Sequence, residues 1–246
     1  MLFDLRGKRR RVVQVVYSLL AVSFLIGFVF FGVGSGGIGS ISDLFGGGSS
    51  GSTTSQFDSQ IDAANAKLQK NPKDTDALLK LAENEWFKAK TGVTQDPNTG
   101  QVSISDDSHT ELGQSADAWS KYLKLNKGQP DSGVAAEMVQ VYALLNDAEG
   151  AAQAQRIVAE KTPSQNSYGS LALYLYAGGN IAGGDAAAKK AVDLAPKSLR
   201  KQVETQLQQS RTQAVKLKKQ AAKAQKNAPP PTTPGANPLQ SPLGGP

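Results

Sequence analysis

Three prolines, Pro130, Pro163 and Pro196, stand 33 and 33 residues apart in a chain of 246. A fixed period of that size is the signature of stacked supersecondary units, and it restricts the fold before any single residue is read. The two intervals share one plan. DSGVAAEMVQVYALLNDAEGAAQAQRIVAEKTP follows Pro130, and SQNSYGSLALYLYAGGNIAGGDAAAKKAVDLAP follows Pro163. Each reads as an apolar helix, a short turn and a second, alanine-rich helix. Ala135, Met138, Val139 and Tyr142 keep i, i+3, i+4, i+7 spacing in one, and Tyr168, Leu171, Ala172 and Leu175 do so in the next. Asn146-Asp147 and Gly178-Gly179-Asn180 supply the turns.

A third copy lies upstream. After Asn71-Pro72 comes KDTDALLKLAENEWFKAK, in which Leu78, Leu81 and Ala82 take the corresponding positions and Glu85 stands where an aromatic is expected. Its second helix, roughly His109 to Asn126, presents Ala116, Trp119, Tyr122, Leu123 and Leu125 to the core. Between the two helices an insertion, residues 91–108, carries turn chemistry at Asp96-Pro97-Asn98-Thr99-Gly100 flanked by short β-prone runs at 92–94 and 101–104. It predicts a small hairpin. Asp106 or Ser108 is the expected helix cap. The spacing Asp96, Asn98, Gly100 fails as a calcium loop, because Gln101 and Asp107 stand where an EF-hand needs Gly and Glu.

On these residues the region from about Pro72 to Pro196 resembles the tetratricopeptide repeat family. Its junction-like Asn71-Pro72 and Asp193 to Pro196, its small residues Ala82, Val139 and Ala172 in the first helices, and Ser115, Ala151 and Gly184 in the second carry the likeness. The usual Trp position holds Leu78, Ala135 and Tyr168 instead. The resemblance implies helix pairs stacked into a solenoid, with Phe57 to Lys70 as an upstream half-repeat. It also implies a groove that binds a protein or peptide. Helix geometry turns the residue after each small position toward the open side, which selects Glu83, Gln140 and Leu173; one turn on, Trp86 and Tyr176 offer aromatic anchors.

The ends of the chain differ in kind. Residues 1–11 form a basic stub with Arg6, Lys8, Arg9, Arg10 and Arg11 against Asp4. Residues 12–33, VVQVVYSLLAVSFLIGFVFFGV, hold no charge over 22 positions. As a helix that run is about 33 Å long, enough for a hydrocarbon core of roughly 30 Å. It is expected to be an uncleaved transmembrane anchor, since a signal peptide has a shorter apolar region and an A-x-A-like site. The basic stub places the N-terminus in the cytoplasm and the bulk of the chain outside it, at the plasma membrane. Ser23 and Gly27 form a small-xxx-small pair that permits two anchors to approach, so a homo-oligomer is possible. Residues 34–55 read as a Gly/Ser linker, with a reach of about 26 Å. Gly32, Gly34 and Gly37 match G-x-G-x-x-G, but without the strand and helix that give that fingerprint meaning.

Charge is split between the two parts of the region 56–226. Residues 56–196 hold 13 Lys/Arg and 18 Asp/Glu, whereas residues 197–226 hold nine Lys/Arg and one Glu. The latter predict a long basic capping helix with a seam through Val203, Leu207, Ser210, Ala214, Leu217, Ala221 and Ala224. Residues 227–246, rich in proline, cannot pack a core and are expected to be a disordered tail.

The expected fold is therefore all-α: one N-terminal transmembrane helix, a tetratricopeptide-like α-solenoid over 56–226 with a hairpin insertion, and a C-terminal basic helix. The expected function is that of a membrane-tethered adaptor holding a protein or peptide partner outside the cytoplasm. The alternative is a structural envelope protein that binds polyanions, lipid headgroups or nucleic acid, through Arg200, Lys201, Arg211, Lys216, Lys218, Lys219 and Lys223. Nucleic acid is the weaker ligand, because no aromatic interleaves the lysines. Zero Cys and a single His leave no basis for thiol chemistry or a His-rich metal site, and no nucleophile–base pairing, catalytic residue or cofactor motif is present. His109 beside Asp106, Asp107 and Glu111 reads as a solvated helix start.

Overall fold

The computed structural model describes residues 52–96 and 101–226. The anchor expected at 12–33, most of the linker and the tail at 227–246 lie outside them. Among the described residues no helix is long and apolar enough to cross a membrane.

The described chain is all-α apart from one hairpin. In order it forms α1 (Ser52–Lys70), α2 (Thr75–Lys90), β1 (Val93–Gln95), β2 (Val102–Ile104), α3 (Asp106–Leu125), α4 (Ser132–Leu144), α5 (Ala148–Lys161), α6 (Gln165–Ala177), α7 (Ile181–Leu194) and α8 (Arg200–Lys226). Helices α2 and α3, α4 and α5, and α6 and α7 pair, while α1 packs on α2 and α8 packs on α7 and α6. The 33-residue period is thus one helix pair. The α4–α5 and α6–α7 pairs each turn on a left-handed residue at the same register, Asn146 with φ 58° and Gly179 with φ 76°, whereas α2 and α3 are joined through the hairpin. Asparagine and glycine are the residue types that tolerate this conformation at a helix end.

The caps explain where the helices start. Asp131 accepts from the backbone N–H groups of Gly133 and Val134, Asp147 from Gly150, Ser164 from Ser167 and Asn180 from Gly183. These pairings satisfy donors that the first helical turn leaves open. In α3 the cap is Ser105, neither Asp106 nor Ser108. The Ser108 backbone N–H, three residues on, donates to the Ser105 hydroxyl oxygen, and Ser108 is buried. The pairing Val93↔Ile104 brings β2 back against Gly92, so the chain must turn at Ser105, and the helix begins three residues before His109.

α1 begins at Ser52, inside the stretch assigned to the linker. Its docking is apolar: Ile61 and Ala64 are buried and the Phe57 ring stacks on Phe87 with centroids 5.8 Å apart. A helix held by such contacts extends upstream at little cost, because propagation is far easier than nucleation.

The core has two clusters. The first gathers Leu78, Ala82, Trp86, Leu112, Trp119 and Met138; the second gathers Tyr168, Leu171, Leu173, Leu175, Val203 and Leu207; the Tyr174 side chain packs against both. Small residues let the helices close. Ser115 is fully buried and its hydroxyl donates to the Ala82 carbonyl at 2.7 Å. At Gly184 a Cβ would stand 2.4 Å from the Tyr176 ring, so no side chain fits there without displacing it. Polar ties also cross the units: the Tyr122 hydroxyl accepts from the Asp131 N–H at 3.1 Å, and buried Gln155 donates to the Ser167 carbonyl at 3.0 Å.

Candidate functional site

Of the five residues selected for the groove, the fold leaves two within reach of a partner. Glu83 and Gln140 are half-buried. Trp86, Leu173 and Tyr176 are 1%, 2% and 3% exposed and belong to the core instead. Trp86 sits in the first cluster, with the Lys90 ammonium 5.4 Å from its ring centroid. Leu173 lies in the cluster that α8 completes with Val203 and Leu207. The Tyr176 ring lies against Gly184, and its hydroxyl donates to Asp185 at 2.9 Å. The same Asp185 oxygen accepts from Arg211 of α8 at 2.7 Å. Helix direction alone could not show this, because the covering helix comes from later in the chain.

The residue that sequence reasoning passed over is Glu137. It is the sole charged side chain of α4, set in an otherwise apolar and small-residue helix, and that isolation is the signal that was available. Its Oε2 and the Oε1 of Gln140, one turn on, are buried with no hydrogen-bond partner among the described residues. Burial pushes the Glu137 carboxyl up to about 7, and the nearby Glu83 carboxylate pushes the same way, against Lys90 and Lys80. Lys80 is in turn bound to Glu83 at 2.9 Å, and its own pKa is raised by that hydrogen bond. The facing sides of α2 and α4 therefore carry the Lys80–Glu83 pair beside Glu137 and Gln140, whose acceptor capacity is unmet among the described residues. An unpaired buried acceptor costs about 1–3 kcal/mol, so the arrangement favours any ligand that brings donors.

A second polar seam joins α1, α2 and α3. Glu85 is 4% exposed. The Gln114 side-chain amide, turned with its nitrogen toward the carboxylate, donates to both Glu85 oxygens at 2.9 and 3.1 Å. Burial raises the Glu85 carboxyl to about 7, although Lys88 opposes the shift. Lys88 reaches Asp58 of α1 at 2.8 Å and Glu111 of α3 at 3.2 Å, so one ammonium ties three helices. A cleft of about 690 Å³ opens beside Glu85, walled by Asp62, Gln114, Asp117 and Lys121.

The seven cations assigned to a polyanion surface also divide. Arg211 is held by Asp185, Lys218 donates to the Gly179 carbonyl at 2.9 Å, and Arg200 donates to the carbonyls of Ala195 and Asp193, each at 3.1 Å. These three fasten α8 to the body and do not form a free surface. Lys201, Lys216, Lys219 and Lys223 are exposed. His109, Asp106 and Asp107 lie exposed in the first turn of α3, where the acids face the positive end of the helix. Among the described residues no group of three or more His, Cys, Asp or Glu side chains is arranged to hold a metal ion.

Compared with known proteins, the chain matches no family model, no curated sequence and no solved structure.

Proposed function

We propose that the chain is a membrane-tethered, tetratricopeptide-like adaptor that holds an extended segment of a partner protein outside the cytoplasm. The observation that carries this reading is the pair of buried, unpartnered acceptors at Glu137 and Gln140, beside Glu83 and Lys80, on the facing sides of the first helices of two successive pairs. An extended peptide offers a backbone N–H at every second residue to one face, and a lysine or arginine on it would complement Glu137. The 33-residue helix-pair period supports the same reading, because stacked pairs place equivalent faces side by side along one surface. The charge pattern around residues 12–33 supports the tether and the orientation.

The test is site-specific photocrosslinking in cells. A photoreactive residue at Gln140 or Glu83 should give one discrete adduct, and the same residue at exposed Gln153 on α5 should give none. The double substitution Glu137→Ala, Gln140→Ala should weaken the adduct formed from the Glu83 probe about tenfold or more, given roughly 1–1.5 kcal/mol for each lost hydrogen bond. No adduct at either inner position, or equal adducts at Gln153, overturns the reading. Reporters fused before residue 12 and after residue 226 check the orientation independently.

A further inference from the structure

The C-terminal helix is twice the length of the helices that carry it. At 1.5 Å per residue α8 spans about 40 Å, against about 20 Å for α6 or α7. Its start is pinned at the end of α7 by Arg200, and Lys218 reaches the α6–α7 turn at Gly179, so α8 runs antiparallel to α7 and continues past that turn. The expected seam changes along the way. Val203 and Leu207 are buried, Ser210, Ala214 and Leu217 are half-buried, and Ala221 is exposed.

On the opposite side Lys216, Lys219 and Lys223 are exposed, and no carboxylate lies within ion-pair distance of them among the described residues. At about 100° per residue the three fall within roughly 60° of one another, opposite Val203 and Leu207, and Lys201 falls on the same line. From Thr205 to Lys226 the helix contains no acid and no aromatic. Both arginines of α8, the side chains suited to bidentate phosphate or base contacts, are turned inward to the body. What remains outward is a row of ammonium groups separated by Thr and Gln, with no apolar side chain to insert and no ring to stack.

We propose that this lysine face docks on the surface of an anionic lipid bilayer. The charge complementarity is with a broad, diffuse layer of negative headgroups, which point charges on a straight helix meet without any shaped pocket. Nucleic acid fits less well, since neither stacking groups nor free arginines are offered. The proposal does not require residues 12–33 to span a membrane, though a tether there would hold α8 close to the surface it meets. Three lysines near such a surface weight the docked state by about a hundredfold at low salt, and screening removes most of that at high salt.

The chain has no cysteine, so Thr212→Cys gives a single labelling point on the lysine face. The labelled full chain is mixed with phosphatidylcholine vesicles, or with vesicles that also contain phosphatidylglycerol, each bearing an acceptor dye on the headgroups. The expected result is higher energy transfer on the anionic vesicles, reversed by salt. The variant Lys216→Gln, Lys219→Gln, Lys223→Gln should lose the gain with unchanged helical circular dichroism. If residues 12–33 insert, both vesicle types retain the chain and the difference lies in the label's distance; if they do not, anionic vesicles alone recruit it. Equal transfer on both compositions, or a triple variant that behaves as the parent, overturns the proposal. So does lysine-dependent binding of a short DNA duplex without any effect of lipid charge, which would assign the face to nucleic acid.

Discussion

Glu85 and Tyr142 occupy the same place in two successive helix pairs, seven residues after Leu78 and Ala135, and the two pairs solve the position differently. Tyr142 lays its ring over Gly150, where a Cβ would come within 2.4 Å, and its hydroxyl makes a long contact of 3.4 Å with the Ala116 carbonyl. Burial and the carboxylates of Asp147 and Asp117 raise its pKa to about 12. The position in α4 is closed by apolar area against a residue without a side chain. Glu85 in α2 is more deeply covered yet ionisable, and it relies on Gln114 for its hydrogen bonds. The comparison shows that the repeat demands occupancy at this position more than it demands a chemical type. It also shows that the first pair trades close packing for a polar seam linking α1, α2 and α3.

The comparison breaks most severely in the first core cluster. Trp119 is 1% exposed and stacks on Tyr122 with centroids 5.1 Å apart. Trp119→Ala should cost about 3–5 kcal/mol, seen as a large fall in the urea midpoint. Because repeat units couple mainly to their neighbours, hydrogen exchange should report α2–α3 opening well before α6–α7. An equal loss of protection in both pairs would show that the two clusters behave as one.

Close approach at the glycines is the next largest effect. Gly150→Ala and Gly184→Ala should each destabilise by about 1–3 kcal/mol, since the added methyl meets the rings of Tyr142 and Tyr176. Thermal melts that move by less than the error of the measurement would mean the rings swing aside freely.

The polar seam should make stability depend on pH. Glu85 and Glu137 both titrate near 7 in the fold against an ordinary 4.5, so the folded state binds more protons than the unfolded state between these values. Stability is then greatest at the acidic side of that window and declines as pH rises from about 4.5 through 7. Glu85→Gln should reduce the decline and raise stability at pH 8 by about 1 kcal/mol, after allowing for solvent near the cleft. The double variant Glu85→Gln, Glu137→Gln should flatten the profile across that range. A parent protein whose denaturant midpoint is level over the window would sink this account. Asp185 acts in the other direction, because the Arg211 hydrogen bond lowers its pKa, and its contribution is lost only in acid.

The smallest effect is expected at that last pair. Arg211 and Asp185 are each about two-fifths exposed, so solvent screens the pair and Arg211→Gln should leave the urea midpoint nearly unchanged. It should, however, loosen α8, and faster exchange of amides on the α6 segment around Tyr176 would reveal it.

Much of this architecture was legible in local patterns. Apolar spacing located the helix pairs, because a helix must put residues three and four apart on one side. Asn146 and Gly179 were legible as turns because few other residue types accept a positive φ. The hairpin at 93–104 was legible because turn residues sit between β-prone runs. The cap of α3 was not, since four hydroxyl or acidic candidates lie in a row at 105–108 and the strand pairing selects among them. Nor was the start of α1, where Ser and Thr resemble a linker until Phe57 docks on Phe87.

The candidate site follows the same division. Chain order and periodicity alone specified a stack of helix pairs with a basic helix after it, because backbone hydrogen bonding and the placement of apolar side chains act over a few residues. Which side chains remain available depended on packing between segments far apart in the chain. α8 closes over Leu173 and Tyr176 and uses Arg200, Arg211 and Lys218 as fasteners, while α2 and α4 meet around the unpaired oxygens of Glu137 and Gln140. Exposure and hydrogen-bond pairing are properties of neighbours in space, and a helical repeat read from its period does not say which helix will come back to cover it.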